Sequence, residues 1–170
     1  EREKANKKAY KAMKEDIKEY TDALRQNNED YERELIKLNL TNATAIERNN
    51  ALIDKLTADL EVRINYLAYI QKNFADENGK IVNGMMQWQY NIAYATTKQV
   101  QQQIEETKAN NEKLQKEQEK KEADEQAAAE RARKRAEDEK QRLQKLAEDY
   151  ENYNKQINEI LQQSADYREK

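Results

Sequence analysis

Apolar residues recur along this chain in steps of three and four. From Met13 they run through Ile17, Tyr20 and Leu24, then, across the polar Asn27 or Asn28, Tyr31, Leu35 and Leu38. They resume as Ala45, Leu52, Leu56, Leu60, Ile64, Leu67, Ile70 and Phe74. This is helical spacing with about two apolar positions in seven, the narrow stripe of a coiled-coil seam. Asp76-Glu77-Asn78-Gly79 interrupts it. Gly79 suits the position just after a helix end, where a left-handed backbone is easy without a Cβ. The pattern restarts as Met85, Trp88, Ile92, Ala95, Gln99, Ile104, Thr107, Asn111 and Leu114. It thins across EQEKKEADEQAAAERARKRAEDEK. It is regular again at Leu143, Leu146, Tyr150, Tyr153, Ile157, Ile160, Ser164 and Tyr167.

The spacing predicts an all-α fold with a long helix over 1–75, a turn over 76–84 and a second long helix over 85–170. A short connection favours antiparallel packing, so the expected architecture is an elongated antiparallel two-helix coiled-coil hairpin, with which self-association is compatible. The chain reads as a single elongated domain and a piece of a larger protein. Folding it at Gly79 pairs positions whose numbers sum to about 158. That register sets Asn49 against Asn110 or Asn111, a polar layer that costs stability but fixes alignment. It also sets Tyr31 against Ala127 or Ala128, and Tyr20 and Leu24 against the stretch Ala132 to Ala136, large residues against small ones.

Composition sharpens this picture. There is no proline to break a helix, and two glycines leave little material for tight turns. No sheet is expected. With 38% charged and 36% hydrophobic residues, the profile is that of long helices. Net charge is −3, from 31 basic and 34 acidic residues that alternate along the chain, so no basic face for nucleic acid stands out. The run Arg131 to Arg135 is flanked by Glu130, Glu137, Asp138 and Glu139 and reads as a solvated, salt-bridged face. No apolar run approaches the ~20 residues of a membrane span.

Catalysis is not expected. His and Cys are absent, Ser164 is the lone serine, and the many carboxylates fall on exposed helix faces with no pocket to shift them. Nor is a metal or cofactor predicted. Asp76-Glu77-Asn78-Gly79 lacks the later ligands of a calcium loop. The sequons at Asn39 and Asn42 read as plain polar positions.

The stretch FADENGKIVNGMMQWQY, residues 74–90, gathers the single Phe, the single Trp, both glycines and two of the three methionines. Helical phase divides it into two sets. Leu67, Ile70, Phe74, Met85, Trp88 and Ile92 are expected to close the hairpin end. Ile81, Val82, Met86 and Tyr90 are expected to face outward as a partner-binding tip, because aromatic residues and Met anchor interfaces.

The segment KANKKAYKAMKEDIKEYTDALRQNNEDYERELIKLN, Lys4 to Asn39, resembles the alanine- and tyrosine-rich helical stalk repeats of antigen I/II-type adhesins of Gram-positive bacteria. The shared features are KAN, KAY, Tyr20 followed by Leu24, and NNEDY. No regular long repeat and no proline-rich segment accompany them. The resemblance implies a stalk that holds a binding element away from the cell wall. The expected function is therefore a non-enzymatic structural and interaction module of a cell-surface or secreted bacterial protein, with a protein partner or a second copy as ligand. A cytoplasmic coiled-coil scaffold, or a helical toxin whose apolar tip enters a membrane, are the competing readings.

Overall fold

The computed structural model describes residues 1–169. Among them are three helices: α1, Arg2–Leu40; α2, Ala45–Phe74; and α3, Gly84–Glu169. The chain is all-α, but the helix expected over 1–75 is two helices, separated by Thr41 to Thr44. Local chemistry explains the break. Asn42 takes a left-handed backbone, φ 53°. Ala43 N–H then donates to Leu38 C=O at 3.0 Å and Asn42 N–H to Asn39 C=O at 3.4 Å. Together these bonds form a Schellman closure, with Asn in the place glycine usually takes. Thr44 then opens α2 with a capping box. Its hydroxyl accepts from Glu47 N–H, and the Glu47 carboxylate accepts from Thr44 N–H, both at 3.2 Å. Arg48 clamps the turn by donating to the Asn39 side chain at 2.6 Å.

The chain divides into two compact units, Glu1–Glu117 and Gln118–Lys170. In the first, α1 folds back antiparallel on α2. Tyr20 stacks on Tyr66, Asn27 donates to Asp59 at 3.1 Å, Arg63 donates to the Tyr20 hydroxyl at 2.9 Å and the Tyr69 hydroxyl donates to Asp16. Tyr20 therefore takes its partners from α2, where the expected register had set it against Ala132 to Ala136. The turn at Asn42 gives α1 a nearer partner.

The connection from α2 to α3 is a small turn rather than a helix end. Ala75 and Ile81 pair as an isolated antiparallel bridge. Asp76 N–H donates to Lys80 C=O at 2.8 Å, and the Asp76 carboxylate accepts from the backbone of Asn78 and Lys80. Gly79 supplies the positive φ, 79°. The side chain of Asn83 then caps α3 by accepting from Met86 N–H at 3.1 Å.

The first part of α3 packs on α2. Tyr66, Ile70, Ile81, Met86 and Ala93 form one buried cluster, with Met13, Tyr20, Leu67, Phe74 and Tyr90 partly buried against it. Leu56, Val100 and Ile104 form a second, supported by Leu52 and Leu60. At the far end Asn111 donates to Asn50 at 2.9 Å. The polar layer thus joins Asn50 to Asn111. Asn49 is half-buried and Asn110 exposed, and neither takes the place expected of it. In the second unit every described side chain is exposed. No described helix is long and apolar enough to cross a membrane.

Candidate functional site

The face that α3 buries is set by its start. Once Asn83 caps the helix at Gly84, Met86 points at Ile70, and both are fully buried. From there the inward residues follow unbroken steps of four and three: Met86, Tyr90, Ala93, Thr97, Val100, Ile104, Thr107, Asn111 and Leu114. Ala93 and Thr97 keep the contact close. The buried Thr97 hydroxyl is satisfied by donating to Ala93 C=O at 2.6 Å.

This phase reverses much of the division expected within residues 74–90. Ile81 and Met86 are buried core residues, not tip residues, and Tyr90 is half-buried against the same cluster. Met85, Trp88 and Ile92 do not close the hairpin: they are exposed, Trp88 to 60%. Each step along a helix turns the side chain by ~100°, so a one-residue error in phase exchanges the two sets. Leu67, Ile70 and Phe74 do lie at the cluster, and Val82 is 70% exposed.

The outcome is an apolar stripe on α3 that nothing in the first unit covers. Met85, Trp88 and Ile92 follow one another at spacings of three and four, with Val82 just before them. Tyr66 donates to Gln89 at 3.4 Å, and this bond sets exposed Ile64 of α2 at the level of Ile92. Residues 81–97 carry no charged side chain in a chain that is 38% charged. The stripe is bordered by Gln87 and Asn91, and beyond them Tyr94 stacks on Tyr90 with Lys98 Nζ 4.7 Å over its ring.

A tyrosine and carboxylate layer locks the frame under this surface. Tyr20 and Tyr66 stack, Tyr66 and Tyr69 lie nearly parallel at 6.5 Å, and Phe74 meets Tyr69 edge-on. The hydrogen bond to Asp16, with burial, pushes the Tyr69 hydroxyl up to about 12. Burial, then the neighbouring Tyr20 and Asp16, pushes Tyr66 up to about 12. Burial also raises Tyr20, against the opposing pull of Arg63. Two turns from Tyr66, buried Asp59 pairs with Lys55 at 2.7 Å and accepts from Asn27. An open groove of about 490 Å³ lies beside it between α1 and α2, lined by Asn27, Tyr31, Glu34, Asp54 and Lys55 among others. Among the described residues no group of three or more acidic side chains is placed to hold a metal ion.

No family model matches the chain, and no curated protein or solved structure matches it either.

Proposed function

We propose that this chain is a non-enzymatic structural and interaction module, a helical stalk element of a bacterial surface or secreted protein that presents a helix face of its first unit to a protein partner. The observation that carries the reading is the exposure of Trp88, with Met85 and Ile92 beside it, on a helix whose other side is anchored in a packed cluster. Leaving a Trp and its apolar neighbours in water is unfavourable, and a covering partner recovers that cost. Trp is also the residue most enriched at the energetic centre of interfaces. The resemblance of Lys4 to Asn39, here α1, to adhesin stalk repeats supports placement at a cell surface. The charge-free stretch over residues 81–97 supports recognition through apolar and amide contacts rather than ion pairing.

The test compares the parent with Trp88→Gln and Met85→Gln/Ile92→Gln in capture of surface and extracellular proteins, after melting has been matched. The reading requires a captured protein that both variants lose. Capture that survives both substitutions contradicts it. Binding to protein-free anionic vesicles that depends on Trp88 would favour membrane insertion instead.

A further inference from the structure

Both glycines of the chain follow an asparagine, as Asn78-Gly79 and Asn83-Gly84, and the fold treats the two pairs differently. Asparagine before glycine is chemically labile, because no Cβ shields the glycine nitrogen from the neighbouring side-chain amide. The first pair stands in the turn between α2 and α3, where every residue from Asp76 to Lys80 is exposed. Among the described residues the Asn78 side chain forms no hydrogen bond; its backbone N–H donates to the Asp76 carboxylate at 2.9 Å.

We propose that Asn78 is a site of spontaneous covalent modification, converted to isoaspartate through attack by the Gly79 backbone nitrogen, and that the fold protects Asn83 from the same reaction. The step needs no oxidant, reductant or enzyme. The Gly79 nitrogen gives its proton to water and bonds to Asn78 Cγ. The Cγ–Nδ2 bond breaks, and Nδ2 takes a proton and leaves as ammonia, closing a five-membered succinimide. Water then adds to one ring carbonyl. Opening at Cγ leaves an aspartate. Opening at the former backbone carbonyl leaves isoaspartate, with the main chain running through Cβ and Cγ.

For the attack the turn must open, and Gly79 N–H must release Asp76 C=O, to which it donates at 3.0 Å. Residues 76–80 are exposed and carry polar side chains or none, so opening them uncovers no core and costs little. Asn83 is held far more firmly. Its Oδ1 accepts from Met86 N–H at 3.1 Å, its Nδ2 meets Met13 Sδ at 3.5 Å, and its C=O accepts from Gln87 N–H at 2.8 Å. Gly84 is already the first residue of α3, and nearby Met86 is fully buried beside Ile70. Attack by the Gly84 nitrogen would uncap α3 and unwind the turn that carries Met86.

The place of Asn78 gives its conversion a structural consequence. The bridge between Ala75 and Ile81 encloses the turn, and Ile81 is buried in the cluster with Ile70 and Met86. Isoaspartate lengthens the main chain inside this small loop, so the bridge must give or Ile81 must shift. The connection between α2 and α3 therefore loosens as the chain ages.

The test holds the full chain at neutral pH and physiological temperature and follows each asparagine by peptide mass mapping, with isoaspartate separated from aspartate by retention. In the folded chain Asn78 should lose its amide at least about tenfold faster than Asn83, which must first give up a helix cap and a turn of α3. In denaturant the two should react at similar rates. The converted fraction should melt below the parent. Freshly prepared Asn78→Asp, which adds the charge without lengthening the chain, should melt like the parent, and Asn78→Ser should keep its melting through the incubation. An Asn78 amide lost no faster than that of Asn83 in the folded chain, the same preference in denaturant, or a converted fraction that melts like Asn78→Asp would overturn the proposal.

Discussion

Tyr20 of α1 stacks on Tyr66 of α2 with ring centroids 3.9 Å apart and planes 12° from parallel. The two residues are far apart in sequence, and the contact exists because the chain reverses at Asn42. Tyr66 is also part of the cluster that holds Met86 and Ala93, so it ties all three helices of the first unit together. Tyr66→Ala is expected to cost about 3–5 kcal/mol, in the range of a truncated buried aromatic. Tyr69→Phe removes only the hydroxyl bonded to Asp16 and should cost about 1–2 kcal/mol. Chemical denaturation of the two variants checks the order. Equal losses would mean that the stacked layer does not hold the unit together.

The same layer sets an alkaline limit. Tyr66 and Tyr69 are pushed up to about 12 in the folded chain, from an ordinary value near 10. A folded-state value above the unfolded one means that the unfolded chain loses its protons first. The contribution is therefore complete below about pH 10 and disappears as pH climbs towards 12. The melting temperature should be level up to about pH 10 and fall steeply beyond it, and Tyr69→Phe should shallow the fall. A variant that falls as steeply as the parent would contradict this role for Tyr69.

The reversal itself rests on two residues. Asn42 stands at φ 53°, where a Cβ is strained, so Asn42→Gly should stabilise the first unit by up to ~1 kcal/mol and Asn42→Val should destabilise it by a similar amount or more. Thr44→Ala removes the capping box and should cost ~1 kcal/mol. Thermal melts of the three variants decide this. If Asn42→Gly lowers stability, the left-handed turn is not what limits the reversal.

Much of this is legible in the residues, and each departure from the sequence pattern has a physical cause. Steps of three and four, with no proline, announce the helices. Asp76 to Gly79 announces the turn before α3, although the glycine serves a small bridged turn and not a helix cap. The reversal at Asn42 is masked because an apolar stripe continues on both sides of it. Its signals were local: an Asn able to take the glycine position, then Thr44-Ala45-Ile46-Glu47, the spacing of a capping box. Side-chain size does not set the phase of α3: Met85, Trp88 and Ile92 are large, yet they lie outward. The stripe built on them needs a step of five between Gln99 and Ile104. The stripe from Met86 to Leu114 needs none, and its smaller residues are what a close helix contact requires. The Asn layer lies one residue from the expected position, at Asn50 in place of Asn49, for the same reason of phase.

Folding back of α1 is directly measurable. Glu19 and Asn65 are both exposed, and the bonds from Arg63 to Tyr20 and from Tyr69 to Asp16 place them at one level. Nitroxides at Glu19→Cys and Asn65→Cys should lie within ~25 Å, about two helix widths. A continuous helix over 1–75 would place them ~70 Å apart.

The outward position of Trp88 is tested most directly by its own fluorescence, because it is the single tryptophan of the chain. In the folded parent its emission should lie close to that of the chain unfolded in denaturant, with ready quenching by acrylamide and iodide. Trp88→Gln should melt within ~0.5 kcal/mol of the parent, as an exposed substitution does. A blue-shifted emission protected from both quenchers in the isolated monomer, with a variant weakened by ~3 kcal/mol or more, would place Trp88 in the core and remove the surface on which the proposed function rests.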